Sequence, residues 1–307
     1  MDKILLSVVA TYFFILIGFL AKQIFKDEIN EKSITIISVY FLQPFLTFWG
    51  LTTKEIDFGI ISSPFIYIGI VFMMMVITYP LSLKLFKEDK KDRSIFLIAS
   101  LVGNTANLGV PVSIAIFGVE SVIYTTIINL ANVFFVFIIG VYFYSRGNFS
   151  PKESIKNVLK LPVLWVAIIA IYFNTHNIIL PVEITNSLQM GAYASIVLQL
   201  LLFGIYLQTT TLRELEYKLI SWIFGIKFIA LPLLAIIVLY NLPIDNYTKG
   251  ILFIELSMPL AVANTNFASL YDCKPKVVTT AVFITSLSFL AIIFADIYIL
   301  KLFGWIN

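Results

Sequence analysis

The sequence predicts an all-α integral membrane protein with ten transmembrane helices, arranged as two inverted repeats of five helices, in which helices four and nine are broken and cross. Two observations lead to this fold class. Hydrophobic residues make up 60% of the 307 residues and charged residues only 13%, which is far outside the range of soluble domains. A long polar connection also divides the apolar segments into two equal groups. Because a soluble core could not bury this much apolar surface, we expect the lipid bilayer as a partner.

Ten apolar segments have about the length of a membrane-spanning helix, which needs roughly 20 residues. A helix satisfies its own backbone hydrogen bonds in lipid, whereas a β-barrel would need strands of alternating polarity, and that pattern is absent. The first segment lacks a basic leader and a cleavage-site pattern, so we expect it to be retained. The predicted spans are residues 3–22, 33–51, 61–83, 94–117, 121–144, 161–180, 186–207, 219–240, 249–270 and 277–301.

The basic residues predict the orientation, because Lys and Arg in short loops stay on the cytoplasmic side of the membrane. Sixteen of the 21 basic residues fall in the connections after predicted helices one, three, five, seven and nine. Four fall on the opposite side, namely Lys3, Lys54, Lys249 and Lys301. We therefore expect a multi-pass protein of the cell membrane, plasma or inner, with extracytoplasmic N- and C-termini.

The longest polar connection follows the fifth predicted helix and runs from Ser145 to Lys160. It divides the chain into a first five-helix repeat at 1–146, a cytoplasmic connection at 147–160 and a second repeat at 161–307. Since each half has an odd number of spans, the halves face opposite sides of the membrane, as in many secondary transporters.

Each half is interrupted in its fourth helix. Predicted helix four contains GNTANLGVP from Gly103 to Pro111, and predicted helix nine contains MPLAVANTNFA from Met258 to Ala268. Glycine, asparagine and proline disfavour a continuous helix. Both interruptions begin about ten residues inside the membrane, a depth of about 15 Å that corresponds to the bilayer midplane. We therefore expect the two unwound segments to cross at one point.

This crossing is the predicted substrate site. Unwound backbone at such depth must be buried in protein or line a wet cavity, and the N-terminal ends of the half-helices suit an anion. The alternative is that the small and polar residues only pack and hydrogen-bond the helices together. The residues expected to bind substrate are Asn104, Thr105, Asn107, Pro111, Pro259, Asn264, Thr265 and Asn266.

Other polar residues lie within the predicted spans. Lys227 and Glu255 each cost about 2.5 to 3.5 kcal/mol in the membrane if unpaired. They are coupling or supporting groups beside the site, or they form a structural ion pair, or the lysine snorkels to the interface. Asp296 is expected at the outer interface. The candidate cavity-lining residues are Gln43, Pro44, Asn129, Asn132 and Gln199.

The sequence does not predict an enzyme. It contains no phosphate-binding loop, zinc motif or nucleophile elbow, and its one cysteine, Cys273, excludes an intramolecular disulfide. We expect no catalytic residue, no metal site and no cofactor, with H⁺ or Na⁺ as the candidate coupling ion. The net charge of +3 is assigned to membrane topology, and no nucleic acid partner is expected.

The two interrupted segments resemble those of the auxin efflux carrier family, whose bacterial members share a GN-x-x-NLG-x-P segment in helix four and a proline in helix nine. The matching residues are GNTANLGVP from Gly103 and SMPLAVAN from Ser257. Weaker similarities lie around Pro44 and Gly204, and the resemblance covers essentially the whole chain. One departure is Val197, which stands where family members often have a proline in helix seven.

The resemblance implies a sodium/proton-antiporter-like fold, distantly similar to that of the plant auxin efflux proteins, with helices that cross at Pro111 and Pro259. It implies a scaffold of helices 1, 2, 6 and 7 that forms a homodimer, and a transport domain of helices 3–5 and 8–10 that moves like an elevator. We therefore expect a secondary transporter, for efflux or uptake, of a small organic anion such as a mono- or dicarboxylate. Two alternatives stay open, a sodium-coupled organic-anion symporter of the bile-acid type and a membrane ligand sensor that does not transport.

Overall fold

The computed structural model describes residues 3–145, 159–209 and 215–306, together with 152, 155 and 156. Over these residues the chain is helical, and its one strand-like feature is a single antiparallel bridge between Gly103 and Leu260. The prediction of an all-α protein is therefore confirmed. Most of the predicted connection at 147–160 lies outside the described residues, as does Arg213.

The described residues of the first half of the chain form eight α-helical segments. A π-helical turn at Ile37–Leu42 joins α2 to α3, and another at Val136–Gly140 joins α7 to α8, so each pair is one helix with a locally wider turn. The segments are α1 (Lys3–Phe25), α2 (Glu31–Ile36), α3 (Gln43–Thr52), α4 (Phe58–Leu85), α5 (Lys90–Ala99), α6 (Val110–Phe117), α7 (Val122–Phe135) and α8 (Val141–Tyr144).

The second half forms seven helical segments among the described residues. A π-helical turn at Ile226–Ala230 joins α11 to α12. The segments are α9 (Pro162–Thr175), α10 (Val182–Thr209), α11 (Tyr217–Gly225), α12 (Leu231–Asn241), α13 (Asn246–Ser257), α14 (Ala263–Leu270) and α15 (Pro275–Leu302).

Within the described part of the chain, seven helical stretches are long and apolar enough to cross a membrane, and they coincide with seven of the ten predicted spans. Predicted helices four and nine are not among these seven, because each is broken into two short pieces, α5 with α6 and α13 with α14. Predicted helix six is not among them either, because α9 has only 14 residues. That is about 21 Å of helix, against roughly 30 Å of hydrocarbon. The structure is that of a multi-pass helical membrane protein.

Local sequence fixes where several helices begin. The side chains of Asp57, Asp89 and Asp245 accept hydrogen bonds from backbone N–H groups in the first turns of α4, α5 and α13, which satisfies donors that have no partner within the helix. Proline occupies the first turn of α9 and α15, where its missing N–H costs nothing.

The helices pack in two groups. In the first group, α1, α2 and α3 all pack against α10, and α3 also packs against α9. Two glycines permit the close approach of α1 to α10. A Cβ on Gly204 would lie 1.9 Å from the carbonyl oxygen of Ile15, and a Cβ on Gly18 would lie 2.0 Å from that of Leu201. Because no side chain fits in so small a gap, these backbones touch directly.

The second group contains α4 to α8 and α11 to α15. At the end that the basic residues assign to the cytoplasm, Lys274 Nζ lies 2.9 Å from Asp89 Oδ2, 2.6 Å from Asp92 Oδ1 and 2.9 Å from Glu216 Oε1. Partial burial opposes ionisation of Asp89, but the hydrogen bonds from Lys274 and from two backbone N–H groups lower its pKa below the ordinary value. One ammonium group therefore joins the starts of α5, α11 and α15.

Gly204→Ala should destabilise the protein by about 1 to 3 kcal/mol, because the added methyl group overlaps the Ile15 carbonyl in a packed interface. Thermal unfolding in detergent measures the effect. Gly69→Ala is the matched control, since a Cβ on Gly69 in α4 meets no atom within 4 Å. Equal melting temperatures for the two variants would contradict this description of the contact between α1 and α10.

Candidate functional site

The two interruptions lie against each other in the centre of the fold. After α5 ends, the Asn104 N–H donates to the carbonyl oxygen of Pro259 at 2.8 Å, and the Ala261 N–H donates to that of Val102 at 3.0 Å. Each unwound segment thus satisfies backbone groups of the other, which the interior of a membrane protein requires. We call these two segments, residues 100–104 and 258–262, the crossing.

The unwound part of the first segment is shorter than the sequence suggests. Helical structure resumes at Thr105 with a π-helical turn that ends at Gly109, and Pro111 is in the first turn of α6. Proline is tolerated there because its missing N–H lies where the helix leaves donors unused. Gly109 and Pro111 are therefore helical, whereas Pro259 is in unwound chain.

Asn104 and Asn264, which are 160 positions apart, make different bonds. Asn264 is saturated: its Oδ1 accepts from the Tyr144 hydroxyl at 3.0 Å, and its Nδ2 donates to the carbonyls of Ala261 and Val102 at 3.0 and 3.4 Å. Asn104 Oδ1 accepts from the Asn107 N–H at 3.3 Å, but Asn104 Nδ2 is buried without a hydrogen-bond partner. Asn264 thus braces the crossing, while Asn104 keeps an unused donor.

A cavity of about 430 Å³ lies beside the crossing. It is bounded by the first turn after each interruption, Thr105 to Asn107 on one side and Val262 to Ala263 on the other, so the positive ends of both half-helices face it. None of its lining residues, all of them in the described part of the chain, is an Asp, Glu, Lys, Arg or His. The polar lining residues are Thr35, Tyr40, Gln43, Asn104, Thr105, Asn107, Asn129, Asn132 and Asn266.

A network of hydrogen bonds holds one wall of the cavity. Thr105 Oγ1 donates to Asn129 Oδ1 at 2.9 Å, and Asn132 Nδ2 donates to Thr105 Oγ1 at 3.1 Å and to the Gly103 carbonyl at 3.0 Å. The Tyr67 hydroxyl of α4 donates to Asn132 Oδ1 at 3.4 Å. The unwound residue Gly103 is therefore held by a side chain of α7.

Other residues singled out from the sequence do not line this cavity. Gln199 is buried and donates to Ser195 Oγ one turn away on α10 at 3.0 Å, so its amide turns to its own helix. Asp296, expected at the outer interface, is instead buried at 3% exposure and interacts electrostatically with Tyr12 of α1. The others that do not line the cavity are Pro44, Pro111, Pro259, Asn264, Thr265, Lys227 and Glu255.

Lys227 and Glu255 lie behind the crossing, and both are completely buried. Ser113 Oγ donates to Glu255 Oε1 at 3.2 Å, whereas Glu255 Oε2 and Lys227 Nζ have no hydrogen-bond partner among the described residues. A Cβ on Gly109 would lie 2.3 Å from Glu255 Oε2, and one on Gly103 would lie 3.1 Å from Lys227 Nζ. The two glycines of the first motif therefore leave the space that these charged groups occupy.

Sequence reasoning missed three residues that support this arrangement. Ser113 is four positions after Gly109 and so lies on the same helix face, a signal that the sequence did contain. Tyr67 and Tyr144 come from distant parts of the chain, and no local pattern marks them. No group of three or more His, Cys, Asp or Glu side chains that could hold a metal ion occurs among the described residues.

A multi-pass helical protein with a polar cavity between two interrupted helices has an architecture that is typical of membrane carriers. Comparisons with known proteins define the family: residues 3–160 match the family model described as membrane transport protein. The chain belongs to that family, the auxin efflux carriers, and so is a transporter rather than an enzyme. It is also 26% identical to a Methanocaldococcus jannaschii protein described as an uncharacterized transporter, over 100% of this chain and 98% of the relative.

Gly109→Ala should reduce stability by about 1 to 3 kcal/mol, because the new methyl group overlaps the Glu255 carboxylate. The cost should fall in a Glu255→Ala background, where the space is free, so a double-mutant cycle measured by thermal unfolding should give a coupling energy. Gly225→Ala is the control, since a Cβ there meets no atom within 4 Å. Additive effects of the Gly109 and Glu255 substitutions would contradict the contact.

Proposed function

We propose that the protein is a secondary transporter of a small organic anion, a mono- or dicarboxylate, which it binds in the cavity beside the crossing. The observation that carries the proposal concerns Asn104, which lines the cavity and whose Nδ2 is a buried amide donor without a partner among the described residues. A buried donor without a partner costs about 1 to 3 kcal/mol. A carboxylate oxygen in the cavity would accept its hydrogen bond and remove that cost.

The chemistry of the cavity favours an anion held without a fixed opposite charge. The side-chain amide of Asn107 lines the cavity and makes no hydrogen bond with other described side chains or backbone, and the same holds for Asn266. Together with the N-terminal turns of the two half-helices, these amides supply neutral donors and partial positive charge. Such a site binds a carboxylate and still releases it, as a carrier must.

The volume of the cavity limits the size of the substrate. Pockets for drug-sized ligands range from about 300 to 1,000 Å³, and this cavity, at about 430 Å³, is near the lower end. Much of its lining is apolar, including Val39, Val136, Phe137 and Phe267. It therefore suits a short carboxylate with room for water, or a carboxylate that carries one apolar group.

The proposed architecture has ten spans in two inverted halves. It counts α5 with α6 as one broken span, α13 with α14 as a second, and α9 as a short one. In support, the two interruptions fall at the same position within each half, and their unwound segments bond to each other. The sides of the termini, both extracytoplasmic, follow from the basic residues and are part of the proposal.

Alternating access is proposed to occur by an elevator movement. The scaffold is the first packing group, α1 to α3 with α9 and α10, and the transport domain is the second group. The cavity supports this division because residues of both groups line it, Tyr40 and Val163 from the first and Asn104 and Asn266 from the second. Movement of one group past the other would expose the site to alternate sides of the membrane. A homodimer through the scaffold, in the cell membrane, completes the proposal.

Asn107→Ala should weaken binding of the transported carboxylate about 10-fold or more, because it removes a charge-assisted hydrogen bond of about 1.5 to 3 kcal/mol. The measurement is a thermal-shift screen of acetate, malonate, malate and indole-3-acetate with purified protein, followed by uptake into proteoliposomes. Asn241→Ala is the control, since Asn241 is exposed at the end of α12 and bonds within its own helix. Transport by Asn107→Ala at the wild-type rate would contradict the site.

A further inference from the structure

Two oppositely charged side chains, Lys227 and Glu255, lie outside the cavity and take part in no ion pair of the described residues. Lys227 and Glu255 have no accessible surface, yet Lys227 Nζ and Glu255 Oε2 make no hydrogen bond. They interact electrostatically with each other. A structural pair is expected to have direct contact and saturated hydrogen bonds, because otherwise its desolvation is not compensated. This pair has neither.

The pair lies beside the first interrupted segment, part of which lines the cavity. Gly103 lines the cavity on one side, and on its other side Lys227 Nζ would lie 3.1 Å from a Cβ at that residue. Glu255 reaches the same segment at Gly109, two residues after Asn107, where the lining of the cavity by this segment ends. Charges in a buried region of this kind are weakly screened, so an anion in the cavity and the pair respond to each other.

Charge balance determines whether the pair takes up or releases a proton when an anion binds. With Glu255 ionised and Lys227 protonated, the pair has zero net charge. An anion that enters the cavity adds one negative charge to a buried region in which uncompensated charge is costly. A proton bound by the Glu255 carboxylate leaves the Lys227 ammonium uncompensated, so the pair then carries +1 and the occupied site returns to neutrality.

We propose that Lys227 and Glu255 form a proton-binding site behind the crossing, which takes up one proton when a monoanionic carboxylate occupies the cavity. The proton comes from water and binds Glu255 Oε2, the oxygen that Ser113 does not contact. No bond other than this O–H forms. The proposal rests on the proposed function for its anion and deepens it, since it makes the transporter a proton-coupled one.

The other groups that face the pair are few in the described part of the chain. Tyr67 of α4 interacts electrostatically with Glu255 and donates to Asn132 of the cavity wall. Ser113 of α6 is the hydrogen-bonding neighbour. Asp296, another buried carboxyl group among the described residues, interacts electrostatically with Tyr12 of α1 and is not part of the pair.

The test counts protons released or taken up on binding. Purified protein is titrated with the monocarboxylate that stabilises it in the screen, acetate being titrated first, by calorimetry in two buffers that differ in ionisation enthalpy. Wild-type protein should take up close to one proton for each monoanion bound. The double variant Lys227→Met with Glu255→Gln should bind with little or no proton uptake, and Asp296→Asn should behave as wild type.

Binding to wild-type protein without proton uptake would overturn the proposal and leave the proposed function standing. If no carboxylate binds at all, the proposed function fails, and the pair is judged by infrared titration of the protein alone. A carboxylic-acid C=O band that grows on acidification and is absent from Glu255→Gln then supports the proton site. If wild type and Glu255→Gln show the same bands at every pH at which the protein stays folded, the proton site is excluded.

Discussion

The rest of the structure depends on the need of unwound backbone for hydrogen-bond partners inside the membrane. Several backbone groups of residues 100–104 and 258–262 have no partner within a helix, and lipid offers them none. They bond to each other, through the Asn104 N–H with Pro259 and the Ala261 N–H with Val102. Neither interruption could exist without the other, because each would bury several unsatisfied polar groups. The two distant halves of the chain are therefore tied at one point, and the site is built there.

Neutral groups and charged groups lie on different sides of the crossing. Neutral amides and helix N-termini line the cavity in front, while Lys227 and Glu255 lie behind it. Gly103 and Gly109 make this possible, since a Cβ at either residue would intrude on a charged group. The GN-x-x-NLG spacing thus serves packing as well as unwinding. In the proposed transporter the cavity binds the anion, and the pair of Lys227 and Glu255 takes up a proton that balances its charge.

Much of this could be predicted from the sequence, for physical reasons. The long apolar runs of α1, α4, α10 and α15 fix their helices, because hydrocarbon leaves the backbone no alternative. Glycine, proline and asparagine at matched depth predicted the two interruptions and their contact. The family resemblance was confirmed by the match over residues 3–160, while ten spans, the inverted repeat and the substrate stay predictions.

The remaining features depend on tertiary packing. Asn104 and Asn264 occupy matching positions, but their hydrogen bonding differs. The Tyr144 hydroxyl donates to Asn264, whereas Asn104 Nδ2 has no partner among the described residues. No local sequence pattern distinguishes the two asparagines. Gln199 turns to Ser195, and Asp296 is buried in the fold, which hydropathy alone cannot show. The central claim is that a carboxylate binds at the crossing. An experimental structure determined with the most stabilising carboxylate tests it directly. The account predicts a carboxylate oxygen within hydrogen-bond distance of Asn104 Nδ2; a carboxylate bound elsewhere, with Asn104 Nδ2 bonded to the protein, would contradict it.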